Sequence, residues 1–158
     1  MAKNGIFHSF KNKKKFKQKV DRLETVSIKH AQAALIDSTL LIHNVAIKLI
    51  QTKSPGKQVM RYGGGGAKKR LVTASSPGEA PNTDTGRLIK SVKFEINKKG
   101  LNSKVGTNLK YGAALELGTK KMAPRPWLST AFKMSKKEVT KIFERYYKDA
   151  VKKVAGEK

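Results

Sequence analysis

Residues 111–132 read YGAALELGTKKMAPRPWLSTAF, and the run holds a single carboxylate, Glu116, between Leu115 and Leu117. The "YGAALELG" portion is long enough for two helical turns, and Gly118 is the expected stop in the left-handed conformation. Pro124 and Pro126 hold "APRPW" extended, because each proline restricts the residue before it. Trp127 and Leu128 then anchor a last helix predicted over about 129–154. Its apolar face is Phe132, Val139, Ile142, Phe143, Tyr146, Ala150 and Val154. A carboxylate shielded by flanking leucines needs donors or a cation. Arg125, Arg87, the Thr119 hydroxyl and the amides around Gly118 are the candidates. The main reading is an internal clamp that ties "ELGT" to the "APRPW" turn. The alternatives are pairing with a basic residue of an adjacent subunit and, last, a catalytic acid. The last suffers from the lack of a second carboxylate or histidine nearby in sequence.

Working outward, "SVKFEIN" alternates, with Val92, Phe94 and Ile96 expected inward and Lys93 and Glu95 outward. "KKGLNS" is a turn and "KVGTN" begins a returning strand, which makes a β-hairpin. Just before it, Asp84 or Thr85 is expected to cap a short helix that starts near Gly86 and turns Leu88 and Ile89 to the core. Further upstream, residues 20–52 repeat apolar side chains at three- and four-residue steps without glycine or proline. They predict one long helix whose first turns project or pack on another subunit. His30 and His43 lie on it thirteen residues apart, which is not metal-ligand spacing. Residues 53–82 read as a long mobile basic loop or hairpin around the four glycines at 63–66. "GGGGAKK" lacks the hydroxyl and the leading strand of a phosphate-binding loop. The expected fold is thus α+β: a long N-terminal and a C-terminal helix packed on a small antiparallel sheet. The single domain spans 20–154, after a basic arm over 1–19 and before a frayed tail at 155–158.

Charge sets the partner classes. The 158 residues carry 35 Lys and Arg against 11 Asp and Glu, a formal net charge of +24. Such a surplus calls for a polyanion, an acidic partner or solvent. One basic patch contains Lys11, Lys13, Lys14, Lys15 and Lys17; a second, free of acids, contains Lys68, Lys69 and Arg70. Lysine outnumbers arginine, and lysine acts as a solvated point charge rather than a bidentate reader of phosphate. With no cysteine in the chain, disulfides and thiolate metal sites are excluded. Neither a signal peptide nor a membrane span is expected. The acids are scattered, so no catalytic, cofactor-binding or metal site is expected, and a nuclease or lysin is disfavoured.

Three stretches, "APNTDTGRLIKSV" at 80–92, "VGTNLKYGAALELGT" at 105–119 and "PRPWLSTAF" at 124–132, resemble, in this order, the head–tail joining or tail-completion family of long-tailed bacteriophages. From the first block to the last, residues 80–132, the match spans about a third of the chain. Gly112 departs from the commoner alanine, and the basic arm and glycine loop lie outside the match. The resemblance implies a structural protein of the virion neck or upper tail, made in the host cytoplasm, without enzymatic activity or cofactor. It implies a six-fold ring between the head-side connector or stopper and the tail tube or tail terminator, through which double-stranded DNA passes. On that view Glu116, Gly118, Thr119, Arg125, Trp127, Tyr111, Asp84 and Gly86 serve structure or interfaces, and the lysines meet partner proteins or, non-specifically, DNA. The competing reading is a basic, non-specific nucleic-acid-binding protein of ribosomal or nucleoid type, which the charge favours.

Overall fold

With no glycine or proline between Lys13 and Gln51, the chain forms one uninterrupted helix, α1 (Lys13–Gln51). The computed structural model describes residues 13–61 and 68–156. Thirty-nine residues make a rod of about 58 Å. The helix starts earlier than the apolar periodicity predicts. Lys13, Lys14, Lys15 and Lys17 are helical, not part of an irregular arm, since lysine is a good helix former. Lys11 and the rest of the expected arm up to residue 12 lie outside the described residues, as do 62–67 with their glycine run and 157–158. At the other end of α1, Thr83 Oγ1 donates to the Ile50 carbonyl at 2.7 Å, and Thr52 N to that of Lys48 at 2.9 Å.

The stretch read as a loop or hairpin contains a hairpin. β1 (Gly56–Arg61) and β2 (Arg70–Ser75) pair antiparallel from Gly56↔Ser75 to Arg61↔Arg70. Most of its side chains face solvent, so no apolar alternation announces it in the sequence. A short helix, α2 (Arg87–Ser91), runs into β3 (Val92–Asn97), which pairs antiparallel with β4 (Asn102–Thr107). The two hairpins are separate two-stranded sheets. α3 (Lys110–Leu117) and α4 (Leu128–Ala155) complete the α+β fold. Phe94 shares the strand face of buried Val92, as the alternation predicts, but is itself 40 % exposed, its ring edge-on to the His43 ring of α1 at 5.2 Å.

The core gathers Ala46 and Ile50 of α1, Ala80, Leu88, Val92, Trp127 and Ala131. Trp127, at 1 % exposure, is its largest buried side chain. α4 packs antiparallel along α1: its start joins the Ile50 end in this core, while Tyr146 reaches back to Asp37 and His30. The facing surfaces are built from small residues, with Ala34, Ser38 and Ala46 buried on one helix and Ala131, Ser135 and Ala150 on the other. Small side chains at the contact let helix axes approach closely. This corrects the predicted face of α4 at two of its seven positions; Val139, Ile142, Tyr146, Ala150 and Val154 are buried or half-buried as expected. Ala131 takes the core position, and Phe132, about 100° further round the helix, is 61 % exposed; Phe143 is exposed too. By length and composition α1 also passes as a bilayer-crossing helix, with an 18-residue window of mean hydropathy 1.5. That corrects the expectation that no segment reads as a span. In the fold its apolar face packs on α4, and Thr39 bonds Ser103 Oγ of β4 at 2.7 Å.

Tyr146 Oη donates to Asp37 Oδ2 at 2.8 Å, beside Arg145 Nη2 at 3.4 Å from the same oxygen. The adjacent Tyr147 faces solvent. Donation to the carboxylate, with a smaller contribution from burial, raises the Tyr146 phenol above its ordinary value. A hydrogen bond to a charged group at a partly exposed site contributes about 1 kcal/mol. Tyr146→Phe should therefore lower unfolding free energy by about that amount, and Tyr147→Phe should leave it unchanged, as read by urea denaturation.

Candidate functional site

The turn between α3 and α4 is organised around Glu116. Its Oε2 accepts the backbone N–H of Trp127 and of Leu128, each at 2.8 Å, and its Oε1 accepts that of Ser129 at 2.9 Å. These amides belong to the N-cap and first positions of α4. A helix start has no intrahelical acceptors for its first amides and carries a partial positive charge. Trp127 supplies no side-chain cap, so a carboxylate from the preceding helix does the capping. Burial alone would push the Glu116 carboxyl up. Hydrogen bonds from the Ser129 hydroxyl and from the amides of Leu128, Ser129 and Trp127 outweigh it and hold the group below its ordinary value.

The clamp between "ELGT" and "APRPW" is thus present, but its donors are not those the sequence suggests. Arg125, Arg87, Thr119 and the amides around Gly118 make no bond to Glu116. Arg125 uses its backbone N–H on the Leu115 carbonyl at 2.6 Å and its Nε on that of Ser75 at 3.0 Å. Thr119 closes its own turn with Met122, N to O at 2.8 Å and back at 3.2 Å. Leu117 shields nothing, being 80 % exposed. Gly118 stops α3 with φ 76° and ψ −179°, not in the left-handed helical region but in one open essentially to glycine alone. A Cβ there would lie 2.9 Å from the Met122 carbonyl oxygen and from Pro124 N. Gly112 has a packing reason. A Cβ would come 2.5 Å from the Thr107 methyl, and its carbonyl receives Trp127 Nε1 at 3.4 Å.

The remaining site residues sit elsewhere. Asp84 does not cap α2; Gly86, with φ 72°, holds the N-cap position, and of the two expected caps it is Thr85 whose hydroxyl receives the Arg87 N–H, at 3.5 Å. Asp84 instead pairs with Arg70 at 2.8 Å and Arg61 at 3.4 Å. The second basic patch is therefore not free of acids, because the hairpin stem folds onto this carboxylate. Tyr111 and Gly86 line the same cleft as Asp84, which is also bounded by Leu115, Met122 and Arg125 of the latch connection. Lys68 and Lys69 precede β2, while Lys13, Lys14, Lys15 and Lys17 occupy the far end of α1. Asn82 is a linchpin the sequence reading passed over. Its Oδ1 accepts Ser54 N at 2.6 Å, and its Nδ2 donates to Ser54 O at 2.8 Å and Thr73 O at 3.0 Å. The only hint was an asparagine in a proline-flanked segment. Among the described residues no His, Asp or Glu cluster could hold a metal ion.

A last feature concerns the surface. All thirteen residues from 13 to 25 are exposed, because α4, at 28 residues, is too short to reach them. Phe16, Val20 and Leu23, at helical i, i+4 and i+7 spacing, form an exposed apolar row there, flanked by lysines. Phe143, Tyr147 and Val151 make another exposed row on α4. No family model, curated protein or solved structure matches the chain.

The latch has a pH signature. A carboxylate whose folded value lies below its unfolded one contributes fully above the unfolded value, about 4.3 for glutamate, and loses that contribution as pH falls through the folded value. Glu116→Gln should cost about 1–2 kcal/mol at neutral pH, the range of a lost helix cap. The gap between the wild type and this variant should shrink on acidification below about pH 4.3. Chemical denaturation at a series of pH values measures it; a gap independent of pH would contradict the latch.

Proposed function

We propose that the protein is a structural, non-enzymatic component of the neck or upper tail of a long-tailed bacteriophage. In this reading copies assemble as a ring, six-fold by resemblance, between the head-side connector and the tail tube, and DNA passes through it. The observation that carries the reading is the overhang of α1. Its apolar row, Phe16, Val20 and Leu23, is covered by none of the described residues. A closed ring needs a heterologous interface, in which one patch meets a different patch on the next copy. The α1 overhang and the Phe143–Tyr147–Val151 row of α4 are two such unlike patches. The three ordered sequence blocks supply the virion context. They include the Glu116 latch, which fixes the direction in which α4 leaves the turn and so the angle between these surfaces.

The lysines beside the overhang suit an acidic neighbour or the DNA in the channel. Electron microscopy and native mass spectrometry of the purified protein, alone and with tail tube, test the proposal. Closed rings are expected from the wild type, and folded monomers from the double variant Phe16→Glu, Leu23→Glu, with helix content and thermal midpoint unchanged because both positions are exposed. A wild type that stays monomeric with or without tube contradicts the ring. If that monomer binds duplex with an affinity that falls by decades as salt rises, the nucleic-acid-binding reading replaces it.

A further inference from the structure

A cleft of about 790 Å³ opens between β2, the 81–87 segment, α3 and the turn before α4. The chain has only six arginines, against 29 lysines, and four of the six, Arg61, Arg70, Arg87 and Arg125, line this one cleft. Its walls are apolar where Ile50, Val72, Leu88 and Leu115 reach it, and Tyr111 stands exposed at its side. Asp84 is the one carboxylate among its lining residues, and Arg61 and Arg70 share it. Arg125 is held by the carbonyls of Ser75 and Ala123, not by an acid. Arg87 has no ion-pair or hydrogen-bond partner for its guanidinium among the described residues. The cleft therefore carries a surplus of three guanidinium charges around an apolar interior.

We infer that this cleft is a docking site for an acidic segment of a partner protein, one that places an apolar side chain between the walls and carboxylates against the arginines. Guanidinium forks pair with carboxylates bidentately, which lysine does not do. Arginine gathered here in a lysine-dominated chain suits bidentate carboxylate recognition. Apolar walls with a few placed polar groups are the usual make-up of a binding cleft. A nucleic-acid backbone also pairs with guanidinium forks, but its phosphates bring no apolar side chain to the walls of the cleft. Side chains, not strand addition, carry the docking, because Asn82 and Arg125 already occupy the Thr73 and Ser75 carbonyls of β2. The inference goes beyond the ring proposal and does not rest on it.

Selection of random eight-residue peptides displayed against the full chain tests it, followed by fluorescence anisotropy on the enriched sequences. The expected winners carry two or more acids flanking a large apolar residue. Their affinity should fall at least about tenfold, equivalent to about 1.4 kcal/mol, in Arg87→Glu. It should stay within about threefold, under 1 kcal/mol, in Lys90→Glu, which makes the same charge change on the same helix outside the cleft. Three results would each overturn the inference: no enrichment of acidic–apolar sequences, equal losses in both variants, or displacement of the peptide by an equimolar short DNA duplex at physiological salt. Circular dichroism of both variants, matching the wild type, secures the comparison, since both residues are exposed.

Discussion

Three amides at the start of α4 converge on one carboxylate, and much of the fold is set by that meeting. The first turn of a helix must find acceptors outside itself. Here the acceptor is Glu116, eleven residues before the N-cap. Because Glu116 sits near the end of α3, capping α4 also fixes the angle between the two helices. Gly118, whose backbone only glycine adopts at no cost, and the prolines at 124 and 126 shape a connection that leaves no slack. Trp127 is thereby driven into the core, between Ala46 and Ile50 of α1 and Ala131 of α4. The antiparallel α1–α4 pair, and the overhang that α4 leaves uncovered, follow from where α4 begins.

The parts of this design that the sequence reveals are those governed by local rules. The long helix, the 92–107 hairpin and the last helix are legible because their apolar periodicities are long or bounded by turn residues. So is the importance of Glu116, an acid among apolar neighbours in a chain of net charge +24. Its partners are not legible. Backbone amides leave no mark in residue identity, and Arg125 and Thr119 look like better donors than they prove to be. The same limit left the β1–β2 hairpin undecided between loop and hairpin, because its exposed strands lack alternation, and hid the role of Asp84, whose arginine partners lie 14 and 23 residues away. Phe132 misleads for a different reason. A large apolar residue scores as core, whereas the close α1–α4 approach demands alanine and serine at the contact.

Two surfaces with different chemistry emerge from one scaffold. Along α1 and α4, apolar rows bordered by lysine suit association between copies. Next to the latch turn, a cleft collects four of the six arginines in the chain and suits an acidic segment. Arg125 joins the two regions. Its backbone belongs to the latch, and its guanidinium to the cleft wall. Loss of the carboxylate cap would therefore disturb both surfaces through a single turn, and this is the physical sense in which the connection is architectural.

The central claim is that the ionised carboxyl of Glu116 holds the first amides of α4. Proton–nitrogen correlation spectra recorded through an acid titration test it most directly. The Trp127, Leu128 and Ser129 amide resonances should shift together with one midpoint, below the ordinary range of a glutamate, and should not titrate in the Glu116→Gln variant. Amides that stay unmoved, or that follow a midpoint at the ordinary glutamate value, would contradict it.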